Sequence, residues 1–257
     1  MANGAMRTAG GRAGPLRTYL DQSAAPMQAA ALTLPLLVVY GVGILVAPEA
    51  ANGADLVSQT LVSLLGPLGE LRWAGYVGFY GLLLAANLAL IAHLRKTSSF
   101  APRWFWAVLA ESAVYAIAVG SLASSITSDL MQLLGARIAE PLSTTSSAGP
   151  LAGVIMSAGA GLHEELVFRL GGIAGVARLW LGRDWKAPSL KLLGLLLATS
   201  LLFSAVHHIA EPFRFTVFVF RVVAGLLFGS LFLLRGFAVA AWTHALYDVW
   251  VIVVLGR

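Results

Sequence analysis

The chain has 257 residues, 58% of them hydrophobic and only 11% charged, where a soluble domain carries charge at about 25% of positions. The missing charge points to a membrane solvent. The excess of 17 Lys and Arg over 12 Asp and Glu sits in short segments between apolar stretches, so it reads as orientation in a bilayer rather than a nucleic-acid surface. No cysteine is present, which excludes disulfides, cysteine-based zinc sites and thiol nucleophiles.

Residues 1–22 carry Arg7, Arg12 and Arg17 against Asp21 and read as a basic, flexible tail. The apolar stretch after Asp21 is too long for the core of a signal peptide, so an uncleaved first helix is expected. A span needs about 20 apolar residues. Seven such runs follow, near 28–48, 73–94, 104–127, 147–177, 191–210, 215–234 and 237–255, which predicts an all-α polytopic bundle of seven spans, within a range of six to eight. The fourth run is too long for one straight span and holds charges, so a break or an interfacial extension is expected there. Residues 50–69 hold Asp55, Gly66 and Pro67 and read as interfacial or re-entrant.

The loops alternate in charge. One set holds the tail arginines, then Arg95, Lys96 and Arg103, then Arg178, Arg183, Lys186 and Lys191, then Arg235. The other holds Glu49, Asp55, Glu70 and Arg72, then Asp129, Arg137 and Glu140, then Glu211 and Arg214. By the positive-inside rule this places the N-terminus in the cytoplasm and the C-terminus outside.

A charge at the bilayer centre costs at least about 2.5–3.5 kcal/mol, so each one kept there marks a candidate site. The runs after residue 140 hold His163, Glu164, Glu165, Arg169, His207, His208, Arg221, His244 and Asp248; the first three hold Glu111 and, near an end, His93. The asymmetry divides the chain into a tail (1–22), N-terminal transmembrane helices (23–140) and a core that carries the chemistry (141–257). Glu165 and Arg169, and likewise His244 and Asp248, are four apart and share a helix face. Glu164 lies about 100° round from Glu165 and addresses another neighbour. A desolvated carboxylate can take a proton from water near neutral pH, while imidazoles and a second carboxylate hold that water, bind a metal or stabilise an oxyanion. Amide hydrolysis needs those parts. His163-Glu164-Glu165-Leu166-Val167 begins like the zinc-peptidase motif H-E-x-x-H, but Val167 replaces the second histidine and removes that reading. Glu111 and Arg221 are candidate partners across helices, with substrate contact an alternative for Arg221. The glycines at 153, 159, 161, 171, 172 and 175 read as close-packing sites.

Glu164-Glu165-Leu166-Val167-Phe168-Arg169 resembles the E-E-x-x-x-R motif of the CPBP family, which contains the CAAX prenyl-endopeptidases and bacterial Abi proteins. Phe203-Ser204-Ala205-Val206-His207 resembles its F-x-x-x-H motif. His244-Ala245-Leu246-Tyr247-Asp248 resembles its H-x-x-x-N/D motif, with Asp where eukaryotic members carry Asn. All three occur in order over roughly residues 150–250. The resemblance implies an intramembrane endopeptidase acting on a membrane-anchored protein or peptide, with a CPBP-type core in the C-terminal half. It implies Glu164 as general base, Glu165 and Arg169 as its structural support, and His207, His244 and Asp248 as holders of the water or the oxyanion. It leaves glutamic and metallo types open: a divalent metal such as zinc, if present, would sit on His207, His244 and Asp248. The implied setting is a bacterial inner membrane, with lipids and the anchored substrate as partners and no nucleic acid. A non-catalytic immunity or scaffold protein of the same family and a proton-coupled transporter are the alternatives. His207 lies near the outer end of its span and His244 nearer the inner end of its own. The two meet only if boundaries shift or a helix is broken.

Overall fold

The computed structural model describes residues 14–48, 50, 56–69, 71–135, 149–209 and 212–256. Arg7, Arg12, Glu49, Asp55, Glu70, Arg137, Glu140 and Glu211, all used above to read the tail and loops, lie outside the described residues.

The described residues are helical, with no strand among them. α1 (Pro15–Ser23) and α2 (Pro26–Val46) are followed by α3 (Leu56–Leu65), which ends in a 3₁₀ turn at Gly66–Leu68. α4 (Leu71–Leu94), α5 (Trp104–Leu133) and α6 (Pro150–Glu164) come next. A π-helical segment, Glu165–Gly175, carries α6 into α7 (Val176–Leu181). α8 (Leu190–His207), α9 (Phe215–Arg235) and α10 (Phe237–Asp248) complete the bundle, and α10 continues as a second π-helical segment, Val249–Val254.

Among the described residues seven helices are long and apolar enough to cross a membrane: Pro26–Val46, Leu71–Leu94, Trp104–Leu133, Pro150–Leu181, Leu190–His207, Phe215–Arg235 and Phe237–Val254. They coincide with the seven expected runs to within a few residues, except that the third extends six residues beyond its expected end at 127. The expected break in the fourth is the π-helical segment. Outward faces carry bare leucine, valine and isoleucine, such as Leu82, Val114 and Leu193, as a hydrocarbon solvent allows.

α10 is the centre of the bundle and packs against α2, α5, α6 and α9. Its sequence Phe-Ala-Val-Ala-Ala explains this: Ala238, Val239, Ala240 and Ala241 are fully buried, and their small side chains let neighbouring backbones come close. A single residue, Gly236, links α9 to α10 along the chain, at φ 87°, a left-handed conformation that glycine adopts without steric cost. Trp242 donates its indole N–H to the Leu32 carbonyl at 2.7 Å, and Ser112 donates to the Val239 carbonyl at 3.3 Å.

Two expectations are corrected here. Residues 15–22 were expected in a flexible tail, but they form α1, and Tyr19 donates its hydroxyl to Glu111. Burial, then Glu111, pushes that tyrosine above its ordinary pKa, which keeps it a donor. Arg221 was one candidate partner for Glu111, with substrate contact its alternative; Glu111 pairs with Arg235, whose Nε and Nη2 lie 2.6 and 2.9 Å from the two carboxylate oxygens. Arg235 Nη2 also donates to Ser23 Oγ at 3.0 Å. An arginine assigned to a loop is therefore partly buried, its charge met bidentately by a carboxylate 124 residues away in sequence.

Candidate active site

α6 is held on two opposite faces, and its amino-acid sequence explains both. A Cβ on Gly161 would stand 2.6 Å from the Ala245 backbone nitrogen and 2.7 Å from the Ala241 carbonyl oxygen, so glycine lets α6 press directly on α10. Gly159 and His163, four apart on the other face, meet α2 and α4. The Tyr40 ring fills the space a Gly159 side chain would need, and Tyr80 hydroxyl lies 3.2 Å from His163 Nε2. Glu164 follows about 100° round from His163, turned towards the α10 side, and is buried at 3% exposure.

Both oxygens of Glu164 face imidazoles. His207 Nε2 lies 3.5 Å from Oε1 and His244 Nε2 lies 3.7 Å from Oε2. These separations are longer than a good direct hydrogen bond. The other ring nitrogen of each histidine is already engaged. His207 Nδ1 lies 2.7 Å from the Phe203 carbonyl; a carbonyl can only accept, so Nδ1 carries the proton. His244 Nδ1 lies 2.9 Å from Glu165 Oε1. A carboxylate partner fixes the ring orientation in the same way. Asp248 Oδ2 stands 3.7 Å from His244 Nε2, one helical turn on. The Phe228 ring stacks on His244, with centroids 4.5 Å apart, and Phe203 lies edge-on to His207 at 4.9 Å.

Glu165 and Arg169 form the expected pair, 3.2 Å apart and both fully buried. Arg169 also donates to the Gly225 carbonyl at 3.2 Å and lies over the Phe203 ring at 4.7 Å. The pair therefore answers a desolvation cost that an isolated buried charge would impose. Phe203 has two contacts at the site: its carbonyl orients His207, and its ring supports Arg169.

The structure thus brings Glu164, Glu165, Arg169, His207, His244 and Asp248 into one cluster. His207 is the last residue of α8 and His244 lies well inside α10, yet both reach Glu164. Regular winding ends at the site in two spans, at Glu165 and at Val249, and such π-helical departures gather at functional positions.

Residues 146–250 match the family described as Type II CAAX prenyl endopeptidase Rce1-like. This agrees with the CPBP resemblance of the three motifs. The C-terminal half carries an Rce1-like domain. All six clustered residues fall inside it, and α1 to α5 fall outside. The family points to a CAAX-type intramembrane protease, in keeping with an integral membrane protein of seven apolar helices. No curated protein and no solved structure matches the chain.

A cation on His207, His244 and Asp248 was left open by the sequence. Among the described residues no three His, Asp or Glu side chains are disposed to hold a metal ion. His208 lies away from the cluster, packed against Phe213 and Phe218. Sequence reading missed Tyr80 and Tyr40, because a tyrosine in an apolar run looks like packing until its partner is known.

Proposed function

We propose that this protein is an intramembrane endopeptidase that hydrolyses a peptide bond in a membrane-anchored protein or peptide, with Glu164 as the base. One observation carries the reading: a buried carboxylate has both oxygens facing imidazole Nε2 atoms whose Nδ1 atoms are already held.

Glu164 accepts a proton from a water that it shares with His207 or His244. The water oxygen attacks the scissile carbonyl carbon, and the carbonyl π electrons move to oxygen. The developing oxyanion receives N–H donation from an imidazole Nε2 in the imidazolium form, with both ring nitrogens protonated, in a site where donors are strong because water is scarce. Glu164 returns its proton to the amide nitrogen, the C–N bond breaks, and an amine and a carboxylic acid leave. Glu165 and Arg169 take no part in bond making. They fix His244 and keep the cluster electrically balanced. Asp248, one turn from His244, orients the water.

We take residues 141–257 as the catalytic core and 23–140 as N-terminal helices, in a bacterial inner membrane with the N-terminus cytoplasmic, as the basic loops indicate. The test compares wild type with Glu164→Gln in cells by mass spectrometry of membrane-protein termini. Termini present in wild type and absent from the variant support the peptidase and name its substrate. Identical termini in both overturn it in favour of a binding role.

A further inference from the structure

Tyr80 and His163 lie outside the three motifs, and Tyr80 lies outside the matched segment altogether. His163 is buried at 1% exposure, Tyr80 at 6%, Tyr40 at 1% and Tyr76 at 2%. Tyr80 hydroxyl meets His163 Nε2 at 3.2 Å. The Tyr40 ring stands edge-on to the His163 ring, centroids 4.9 Å apart, and Tyr76 packs on Tyr80 at 4.6 Å. An aromatic layer from α2 and α4 therefore encloses the residue immediately before Glu164.

The place of this contact in the helix gives it consequence. His163 occupies the last α-helical turn before the π-helical segment opens at Glu165. On the C-terminal side of Glu164, Glu165 and Arg169 tie the π-helical segment to α10 and α9. On the N-terminal side the rotation of α6 is set by Gly161 against α10 and by Gly159 and His163 against Tyr40 and Tyr80. A turn of α6 by even a few tens of degrees would swing the Glu164 carboxylate away from His207 and His244, whose rings are fixed by other partners.

We infer that Tyr80 and His163 are positioning residues: through their hydrogen bond the N-terminal helices set the rotation of α6 that aims Glu164 at the two imidazoles. The inference rests on the peptidase reading of Glu164. It gives α2 and α4 a part in catalysis that neither composition nor motif assigned them. A misplacement of about 1 Å can cost on the order of 10²-fold in rate, so a hydroxyl distant from the scissile bond can matter that much.

The experiment follows Glu164-dependent termini in cells, defined as those present in wild type and lost in Glu164→Gln, across Tyr80→Phe, His163→Leu, His163→Gln and the double variant Tyr80→Phe/His163→Leu. Thermal melting of each purified protein in detergent runs alongside. Tyr80→Phe keeps the ring and its packing and removes only the hydroxyl. Termini are expected to fall at least tenfold in Tyr80→Phe and in His163→Leu, to fall no further in the double variant, and to recover substantially in His163→Gln, with melting temperatures close to wild type. Non-additivity is the mark of two groups acting through one contact. Glu164-dependent termini at wild-type levels in Tyr80→Phe overturn the positioning role and leave the peptidase reading intact. A loss that tracks melting temperature and is not rescued by His163→Gln overturns it too, in favour of simple packing. Absence of any Glu164-dependent terminus defeats the peptidase reading, and the positioning role with it.

Discussion

His244 Nδ1 lies 2.9 Å from Glu165 Oε1, so the ring that faces Glu164 is aimed by the residue that follows Glu164 in the chain. Two consecutive glutamates therefore divide the work between them. Glu164 faces His207 and His244 at 3.5 and 3.7 Å, and Glu165 is held by Arg169 and His244.

This division predicts unequal effects. Glu164→Gln keeps the shape of the side chain and removes its basicity, so cleavage should fall about 10²–10⁴-fold, the usual worth of a general base, with melting temperature little changed. His207→Ala should lower cleavage about 10²–10³-fold through loss of an oxyanion donor. Rates on a substrate named by the terminus comparison, set beside melting curves, check both. A Glu164→Gln variant at full rate would remove the mechanism.

Arg169 should behave in the opposite way. Its removal leaves Glu165 charged and buried at 0% exposure, and breaking such a pair costs about 3–5 kcal/mol. Arg169→Met is therefore expected to lower stability before any question of rate arises. Adding Glu165→Gln to it should restore part of the loss, because the buried charge left with His244 in place of its arginine is then gone. Thermal denaturation in detergent of the two single variants and the double variant gives the comparison. Equal melting in wild type and Arg169→Met would show that the pair carries no such weight.

Gly161 predicts a distance effect. A side chain there overlaps the Ala245 backbone and must push α6 from α10. Gly161→Leu should lose most activity and some stability, since overpacking costs about 1–3 kcal/mol, and Gly161→Ala should lie between it and wild type. Activity that ignores residue size at 161 would contradict the close approach of the two helices.

The donor arrangement bears on metals. With no group of three His, Asp or Glu side chains that could hold a metal ion among the described residues, cleavage by membranes treated with a chelator such as 1,10-phenanthroline should match untreated membranes. Loss of cleavage that returns on adding zinc would place a metal in the mechanism after all. Asp248→Asn keeps an acceptor oxygen and should retain activity that Asp248→Ala loses. Rates for the two variants, measured side by side, decide it.

Arg235 ties α1 to the bundle through Glu111, Ser23 and the Leu20 carbonyl. Arg235→Ala should therefore expose α1 to limited proteolysis near residues 15–23 while the six clustered residues keep their arrangement. An unchanged digestion pattern would show that α1 is held by packing alone.

The spans could be read from sequence because hydrocarbon imposes a length of about 20 residues and tolerates few charges. The Glu165–Arg169 pair was equally visible, since spacing of four along a helix is a local signal. The Glu111–Arg235 pair was not. Its members stand 124 residues apart, and several arginines were equally eligible until helix packing set their depth. α1 escaped notice because nine residues with three charged or amide side chains, Arg17, Asp21 and Gln22, carry no span signal, and what orders them is tertiary. Convergence of His207 and His244 on Glu164 came from the motif order and not from any reading of depth.

The core cluster that joins Leu36, Tyr40 and Ile44 of α2 and Tyr76 and Tyr80 of α4 to Ala158 and Leu162 of α6 crosses the boundary where family likeness begins at residue 146. The seam visible to sequence comparison is not a seam in the solid. An excised segment 146–250, or a chimera grafting it onto foreign leading helices, would present a torn aromatic surface beside Glu164. Transplanting the recognisable half alone should therefore fail unless α2 and α4 travel with it.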